Sequence, residues 1–407
     1  MLVTSLPILS ALKLKNLWTN SRTSSTVYFL STATANIAGA FFLGDGSYGK
    51  ISLFIAQAGL VSSFVSLRQE LIIPASDKKA EATLSPIIIS IFIGSALTFS
   101  KHYLSVGFDH WAVITGMLLA INNALQTFYA STANFIWLTY ARIKLTLLPM
   151  ICLVILNKFW PLSNTSELSS AYTYFLLIFT LPLVILLFSG IGQNLGNAFL
   201  NIRPRKVGLL AIPADITNAN TQLLPISAIA ASFGPAVAGN YALAVKILSI
   251  PVSIFTRLFI DDVIRYVGPS ADSLAKRHSL WRTYKSISRP IIAFALCIQI
   301  VYLFLFNNTF TTPPSVNILI ILSIALLPAY LLKAIGSPVS YLLYLWGGAH
   351  YDLTFQLLFY GLMLIACNIN SSFSALIAAV SVATFISYYV YYTSTFFFIS
   401  RYEARNS

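Results

Sequence analysis

The sequence predicts an all-α, polytopic membrane protein of about 12 transmembrane helices, arranged in two pseudo-symmetric six-helix lobes. Three observations lead to this fold class: the composition, the length of the apolar segments and a pattern shared by the two halves. Of 407 residues, 57% are hydrophobic and only 9% are charged, and the mean hydropathy is +0.78. A soluble chain of this length cannot bury so much apolar surface, and a disordered chain would be polar and highly charged.

Uninterrupted apolar segments of about 20 residues predict helices that cross the bilayer, whereas a β-barrel would show short strands of alternating polarity. We place the spans at 25–43, 50–67, 84–101, 111–130, 143–158, 171–190, 207–233, 240–259, 290–306, 315–345, 352–367 and 373–397. Residues 1–200 then form an N-terminal lobe, which consists of a tail and helices 1–6. Residues 201–407 form a C-terminal lobe with helices 7–12.

Basic residues concentrate in alternate loops. Of the 25 Lys and Arg, 19 fall in one set of loops and only Lys50, Lys101 and Lys158 in the other. The basic set is Lys13, Lys15, Arg22, Arg68, Lys78, Lys79, Arg142, Lys144, Arg203, Arg205, Lys206, Arg265, Lys276, Arg277, Arg282, Lys285, Arg289, Arg401 and Arg405. Since cytoplasmic loops are enriched in Lys and Arg, this pattern predicts that both termini are cytoplasmic. The net charge of +13 therefore indicates membrane orientation, and we expect no nucleic-acid partner.

The two halves share a pattern at an offset of 190 residues. Gly44 and Gly49 bracket one turn, and Gly234 and Gly239 bracket another at the same spacing. Polar positions before these turns also align: Ser25 with Asp215, Tyr28 with Asn218, and Thr32 with Gln222. Because the offset carries span one onto span seven, both halves would have the same orientation, as in transporters with parallel repeats.

Charged and polar side chains inside predicted spans indicate a water-filled central cavity, because an unpaired charge in the bilayer is costly. Lys246 and Arg257 lie eleven residues apart on one helix face, roughly 16 Å apart along the axis. We assign the substrate pathway to Lys246, Arg257, Lys333, Asn218 and Gln222, and expect a polar, anionic solute. Span four adds a stripe of Asn122, Gln126 and Tyr129. The alternative is that the cations snorkel to an interface and that the amides join helices.

Three further charged residues suggest roles in coupling and gating. Asp215 is the candidate for ion coupling; the alternative is an ion pair with Lys246 or Arg257. Arg68 and Glu70 end span two at the cytoplasmic face, where they form either a structural ion pair or a gate between the halves. No metal-ligand spacing, phosphate-binding loop or nucleophile motif occurs in the sequence, so we expect no metal, no cofactor and no enzyme activity.

Two stretches resemble a known family. The first runs GDGSYG from Gly44 and continues with SLRQELIIP from Ser66; the second runs FGPAVAGNYALA from Phe233 and continues with ILSIP from Ile247. They are similar to polysaccharide biosynthesis proteins of bacterial inner membranes. These are the O-antigen and lipid-linked oligosaccharide flippases of the multidrug/oligosaccharidyl-lipid/polysaccharide exporter superfamily. Gln69 departs from the pattern, which has an aromatic residue between the Arg and the Glu.

The resemblance implies a two-lobed transporter in the bacterial inner membrane. It would move undecaprenyl-diphosphate-linked oligosaccharide repeat units from the cytoplasmic to the periplasmic leaflet, for O-antigen or capsule synthesis, coupled to an ion gradient. A polysaccharide polymerase and chain-length proteins would be its partners. Two alternatives stay open: an ion-coupled exporter of drugs or metabolites from the same superfamily, and a membrane-embedded polysaccharide polymerase or glycosyltransferase.

Overall fold

The computed structural model describes residues 21–76, 78–104, 109–162, 164–191, 206–242, 244–245, 349–369 and 372–406. Within these ranges every regular element is helical and no strand occurs, which confirms the all-α class. Three predicted pathway residues, Lys246, Arg257 and Lys333, lie outside the described residues, as do the predicted spans 290–306 and 315–345.

The N-terminal lobe contains seven α-helices among the described residues. They are α1 (Ser21–Leu43), α2 (Asp45–Val65), α3 (Lys79–Leu104), α4 (His110–Ser131), α5 (Phe135–Arg142), α6 (Leu148–Phe159) and α7 (Thr165–Ile191). A 3-10 helix, Gln69–Ala75, follows α2, and a π-helical turn, Ile143–Leu147, joins α5 to α6. The predicted spans match these helices within a few residues, except that the fifth begins earlier, at Phe135, because α5 leads into the π turn.

The C-terminal lobe is described in three helices and one short segment. The helices are α8 (Lys206–Phe233), α9 (Ala349–Cys367) and α10 (Phe373–Asn406). Residues 235–242 are also helical, at the start of the predicted span 240–259. The predicted spans 207–233, 352–367 and 373–397 match α8, α9 and α10, although α10 continues to Asn406.

The described helices have the length and surface of membrane spans. Five helical stretches among them are long and apolar enough to cross a bilayer. The most apolar of these is Thr165–Ser189. Over an 18-residue stretch of this helix, only 33% is buried inside the protein. Large apolar side chains on its surface, such as Ile178 and Ile185, are more than half exposed. Such a surface is stable in lipid and unstable in water, and the chain is a multi-pass membrane protein.

Helices α2 and α8 form the seam between the lobes. Within the lobes, α2 packs on α4 and α8 packs on α9, and α2 and α8 also pack on each other. The start of α2 lies beside the end of α8, where Gly49 approaches Pro235. The residues that follow α2 lie beside the first part of α8, where Arg68 contacts Asp215. The two helices are therefore antiparallel, and the seam has a glycine end and a charged end.

The glycine end shows the predicted repeat in the backbone. Gly44 and Gly234 have φ angles of +77° and +89°, a region that residues with a Cβ rarely adopt. Each accepts the first hydrogen bond of the helix that follows: Tyr48 N donates to Gly44 O at 2.9 Å, and Ala238 N donates to Gly234 O at 3.2 Å. This equivalence agrees with two pseudo-symmetric lobes. The division of the chain at residue 200 stays a prediction.

The two turns also touch each other. A Cβ added to Gly49 would lie 2.0 Å from the carbonyl oxygen of Pro235 and 3.0 Å from the nitrogen of Gly239. Gly49 and Gly239 are equivalent positions of the predicted repeat. Only glycine at position 49 lets the backbones of the lobes approach this closely.

Candidate substrate cavity and inter-lobe ion pair

A cavity of about 470 Å³ lies between the lobes. The N-terminal lobe contributes walls from α1, α2 and α6, and the C-terminal lobe from α8, α9, α10 and the residues Tyr241, Ala242 and Val245. The polar side chains on these walls come from both lobes: Asn36, Tyr48, Ser52, Ser63, Asn218, Thr221, Gln222, Tyr241, Thr384 and Tyr388. An inter-lobe cavity of this kind is where a ligand binds in many transporters built from repeats.

The described walls of this cavity offer neutral hydrogen-bonding groups. The Tyr48 hydroxyl donates to Asn36 Oδ1 at 3.0 Å, and Asn36 Nδ2 donates to the Thr32 carbonyl oxygen at 2.7 Å. Gln222 Nε2 donates to Asn218 Oδ1 at 3.4 Å. Among the described lining residues none is charged. The surface therefore suits an uncharged ligand rich in hydroxyl groups.

The polar residues Asp215, Asn218 and Gln222 on one face of α8 lie in two different environments. Asn218 and Gln222 lie one helical turn apart and line the cavity, as does Pro225. Asp215, one turn earlier, is absent from the cavity wall and contacts Arg68 instead. The structure thus places two of the predicted pathway residues at a cavity, while their role in transport stays a prediction.

An ion pair joins the lobes at the charged end of the seam. Arg68 Nη1 donates to Glu70 Oε1 at 2.8 Å, and Arg68 Nε contacts Asp215 Oδ2. The Glu70 side chain is only 5% exposed, and those of Arg68 and Asp215 are 26% and 20% exposed. From the sequence these residues were expected to have two separate roles, with Lys246 or Arg257 as the alternative partner of Asp215. In the structure Arg68 contacts Asp215, whereas Lys246 and Arg257 lie outside the described residues.

A left-handed turn sets the position of Arg68. Leu67 and Arg68 have φ angles of +46° and +52°, although neither is glycine. Such conformations cost about 1–3 kcal/mol each and persist only where neighbours enforce them. Arg68 N donates to Ser66 Oγ at 3.1 Å, and Gln69 Nε2 donates to the Leu67 carbonyl oxygen at 3.0 Å. Gln69, which departs from the resembled pattern, thus stabilises the turn through its buried amide.

A further carboxylate, on α9, lies near the ion pair. Asp352, 5% exposed in the first turn of α9, interacts electrostatically with Asp215, as does Glu70. Gln356 lies one turn further along α9, and its Oε1 is buried without a hydrogen-bond partner. Asp352 could not be recognised from the sequence, because an acidic residue in the first turn of a helix is typical of an exposed helix N-terminus. In the described part of the chain no three His, Cys, Asp or Glu residues are grouped so as to hold a metal ion.

The polar stripe of the fourth span does not line the cavity. Asn122 accepts a hydrogen bond from Thr180 Oγ1 at 3.1 Å, and the hydroxyls of Thr115 and Thr173 lie 2.7 Å apart. Both pairs are buried between α4 and α7, inside the N-terminal lobe. Asn122 therefore takes the alternative role of joining helices, since a hydrogen bond between spans satisfies polar groups that lipid cannot.

No protein-family model and no curated protein matches the sequence. Solved structures match it over nearly its whole length. One is a MATE transporter in complex with Br-NRF, with a TM-score of 0.60, 12% identity and coverage of 96% of this chain and 99% of that one. Another is an outward-facing multidrug resistance MATE transporter of the MOP superfamily, with a TM-score of 0.60, 13% identity and coverage of 97% and 98%. The chain has the fold of these transporters.

A third similar structure has a different pocket chemistry. It is a MOP superfamily transporter from Pyrococcus furiosus, described as having a reverse polarity of its binding pocket that suggests a different function. Its TM-score is 0.59 at 12% identity, and the match covers 96% of this chain and 98% of that one. Identities this low establish the fold alone. The polytopic, two-lobed architecture is confirmed, and the flippase assignment stays a prediction.

Proposed function

We propose that this protein is a flippase of the bacterial inner membrane with both termini in the cytoplasm. It translocates undecaprenyl-diphosphate-linked oligosaccharide repeat units from the cytoplasmic to the periplasmic leaflet, for O-antigen or capsule synthesis. Transport occurs by alternating access and is coupled to an ion gradient. The fold supports a transporter. The observation that carries the substrate class is the cavity lined by tyrosine, amide and hydroxyl groups from both lobes.

A sugar repeat unit fits this surface chemically. Its hydroxyl groups exchange hydrogen bonds with water for hydrogen bonds with Asn36, Asn218 and Gln222, and aromatic rings such as Tyr388 pack against its C–H faces. The lipid tail has no need of a polar path, because it stays in the bilayer. The diphosphate requires cations, for which Lys246, Arg257 and Lys333 remain the candidates. A polysaccharide polymerase and chain-length proteins would act on the product, and this chain has no enzyme activity of its own.

The second candidate is an ion-coupled exporter of drugs or metabolites, which the similarity to a multidrug resistance transporter favours. An organic cation would be recognised best by a carboxylate in the cavity. The described lining has no Asp or Glu, and Asp215 is engaged by Arg68 outside it. Cavity chemistry therefore favours the flippase. A membrane-embedded polymerase or glycosyltransferase is the weakest alternative, since the described lining offers no carboxylate or histidine as a catalytic base.

The test is the sidedness of lipid-linked oligosaccharides in a deletion strain. A sugar-specific lectin is applied to spheroplasts, which expose the periplasmic leaflet, and to inverted vesicles, which expose the cytoplasmic leaflet. Complete repeat units should accumulate on the cytoplasmic side, and surface polysaccharide should be lost. Complete but unpolymerised units on the periplasmic side would reject the flippase. Unchanged glycolipid sidedness, together with a raised sensitivity to cationic drugs, would favour the exporter.

Complementation then tests the cavity. Gln222→Ala removes an amide from the cavity wall and should lower the rate of repeat-unit export about tenfold, the loss expected for one hydrogen bond with a ligand. Thr217→Ala on the same helix is the matched control, because its hydroxyl donates only to the Pro213 carbonyl oxygen, away from the cavity. Equal export by both variants would remove Gln222 from the pathway.

A further inference from the structure

We propose that Arg68 is an exchangeable counter-ion for Asp215, and that a proton replaces it when the lobes separate at the charged end of the seam. With the lobes together, Arg68 binds Glu70 of its own lobe and Asp215 of the other. With the lobes apart, Arg68 stays with Glu70, and the Asp215 carboxylate takes up a proton from the water that enters. This inference rests on the proposed transport function and names the residues that couple it to an ion.

The position of the pair supports this role. Asp215 lies 19 residues before Gly234, so roughly 28 Å of helix separates the ion pair from the glycine turns. The cavity lining, from Tyr48 to Ser63 on α2 and from Asn218 to Ile226 on α8, lies between these two contacts. An alternating-access cycle must therefore break the Arg68–Asp215 pair to open the cavity at this end.

The local charges make the exchange necessary. Glu70, Asp215 and Asp352 are three carboxylates from both lobes, and Arg68 contacts two of them. When Arg68 leaves with Glu70, Asp215 loses this cation and keeps Asp352, a carboxylate of its own lobe, as a neighbour. A carboxylate that loses its cationic partner and keeps a like charge nearby is disfavoured, and protonation removes this cost. Opening at this end is then linked to proton uptake, and acid favours the open state.

The backbone ensures that Arg68 moves with its own lobe. Its left-handed turn is held by Ser66 and by the buried Gln69, and Glu70 follows in the same 3-10 helix. All of these contacts lie within the segment that follows α2. The Asp215 contact, by contrast, crosses to α8. Separation of the lobes therefore breaks one partner of Arg68 and leaves the other in place.

The test measures the distance between the lobes without any substrate. Spin labels replace Thr132, exposed at the end of α4, and His350, exposed at the start of α9, in a variant without Cys152, Cys297 and Cys367. Both positions lie near the charged end, because Lys79 binds the Ser131 carbonyl oxygen and Asp352 interacts with Asp215. Distances are recorded by pulsed electron spin resonance in nanodiscs between pH 5 and pH 9.

Lowering the pH should move the population from the short to the long distance. Asp215→Asn, which mimics the protonated side chain in nearly the same volume, should raise the ratio of long to short at least about tenfold at high pH and abolish the pH response. The double variant Arg68→Asp with Asp215→Arg should restore the short distance, since aspartate tolerates the left-handed backbone at position 68. Lys78→Ala, which breaks the Lys78–Glu81 pair at the start of α3, should behave like the protein that carries only the spin labels.

Two results would overturn the inference. One is a normal pH response in Asp215→Asn. The other is a distance that responds to Na⁺ at constant pH and is insensitive to pH, which would assign the exchange to a metal cation. Neither result affects the interpretation of the glycolipid assay. If repeat units accumulate in the deletion strain but the distance between the labels does not change with pH, the flippase function is supported and the proton exchange is rejected.

Discussion

The two ends of the α2–α8 seam hold the lobes together by different means. At the glycine end, backbone meets backbone, and Gly49 leaves no space for a Cβ against Pro235. At the charged end, one guanidinium bridges carboxylates of both lobes. A contact made by shape depends weakly on pH and salt, whereas an ion pair depends on both. The same two helices therefore carry one contact that is fixed by packing and one that solution conditions can change.

The largest effect is expected from Gly49→Ala. The new Cβ would lie 2.0 Å from the Pro235 carbonyl oxygen, so the two turns must move apart. We expect the free energy of unfolding to fall by about 3 kcal/mol, the upper range for overpacking. Thermal unfolding of the purified protein measures this.

Gly46→Ala is the matched control in the first turn of the same helix. No atom lies within 4 Å of its added Cβ. Its stability should change by less than about 1 kcal/mol, since alanine is a better helix former than glycine. Similar losses in Gly46→Ala and Gly49→Ala would show that helix formation, rather than the inter-lobe contact, is affected.

Arg68→Ala should have the next largest effect on stability. It leaves the buried Glu70 and the partly buried Asp215 without their shared cation, at a cost of about 2 kcal/mol. Arg68→Lys should recover only part of this, because an ammonium cannot reproduce the geometry of a guanidinium that serves two carboxylates. Raising the salt concentration should reduce the difference between parent and Arg68→Ala. A difference that salt leaves unchanged would mean that Arg68 stabilises the seam by packing.

Gly44→Ala and Gly234→Ala should cost about 1–2 kcal/mol each, because both positions require a positive φ. Space is not the cause, since no atom lies within 4 Å of either added Cβ. The two losses should agree within the error of a melting curve if the turns are equivalent parts of a repeat. A loss at only one of the two positions would break that equivalence.

The sequence predicted the elements well and the partners poorly. Long apolar runs predicted α7 and α10, because a membrane span requires about 20 apolar residues. The 190-residue offset identified the paired glycines, because a positive φ favours glycine. The contact between Arg68 and Asp215 could not be found in this way, because it depends on how α2 and α8 pack.

Other features of the structure could not be predicted for similar reasons. Helical periodicity placed Asn122 and Gln222 on polar stripes, yet it cannot distinguish a stripe that faces a cavity from one that faces α7. The left-handed turn at Leu67 and Arg68 contains no glycine, so the residue types there did not predict a positive φ. Asp352 looked like an ordinary residue of a helix N-terminus. Each of these depends on tertiary contacts that local sequence does not encode.

The smallest effect is expected from Lys78→Ala, and it tests what makes the charged end distinctive. Lys78 Nζ lies 3.4 Å from Glu81 Oε1, close in sequence to Arg68, but the pair stays within one lobe and the Lys78 side chain is 73% exposed. Solvent and salt screen such a pair, so its loss should change the free energy of unfolding by less than about 0.5 kcal/mol. The double variant of Lys78→Ala and Arg68→Ala should show additive losses, because the two ion pairs share no partner. Strong coupling would mean that the basic surface around residues 68–81 acts as a whole, and the contrast between the two ends of the seam would then rest on total charge instead of on Arg68.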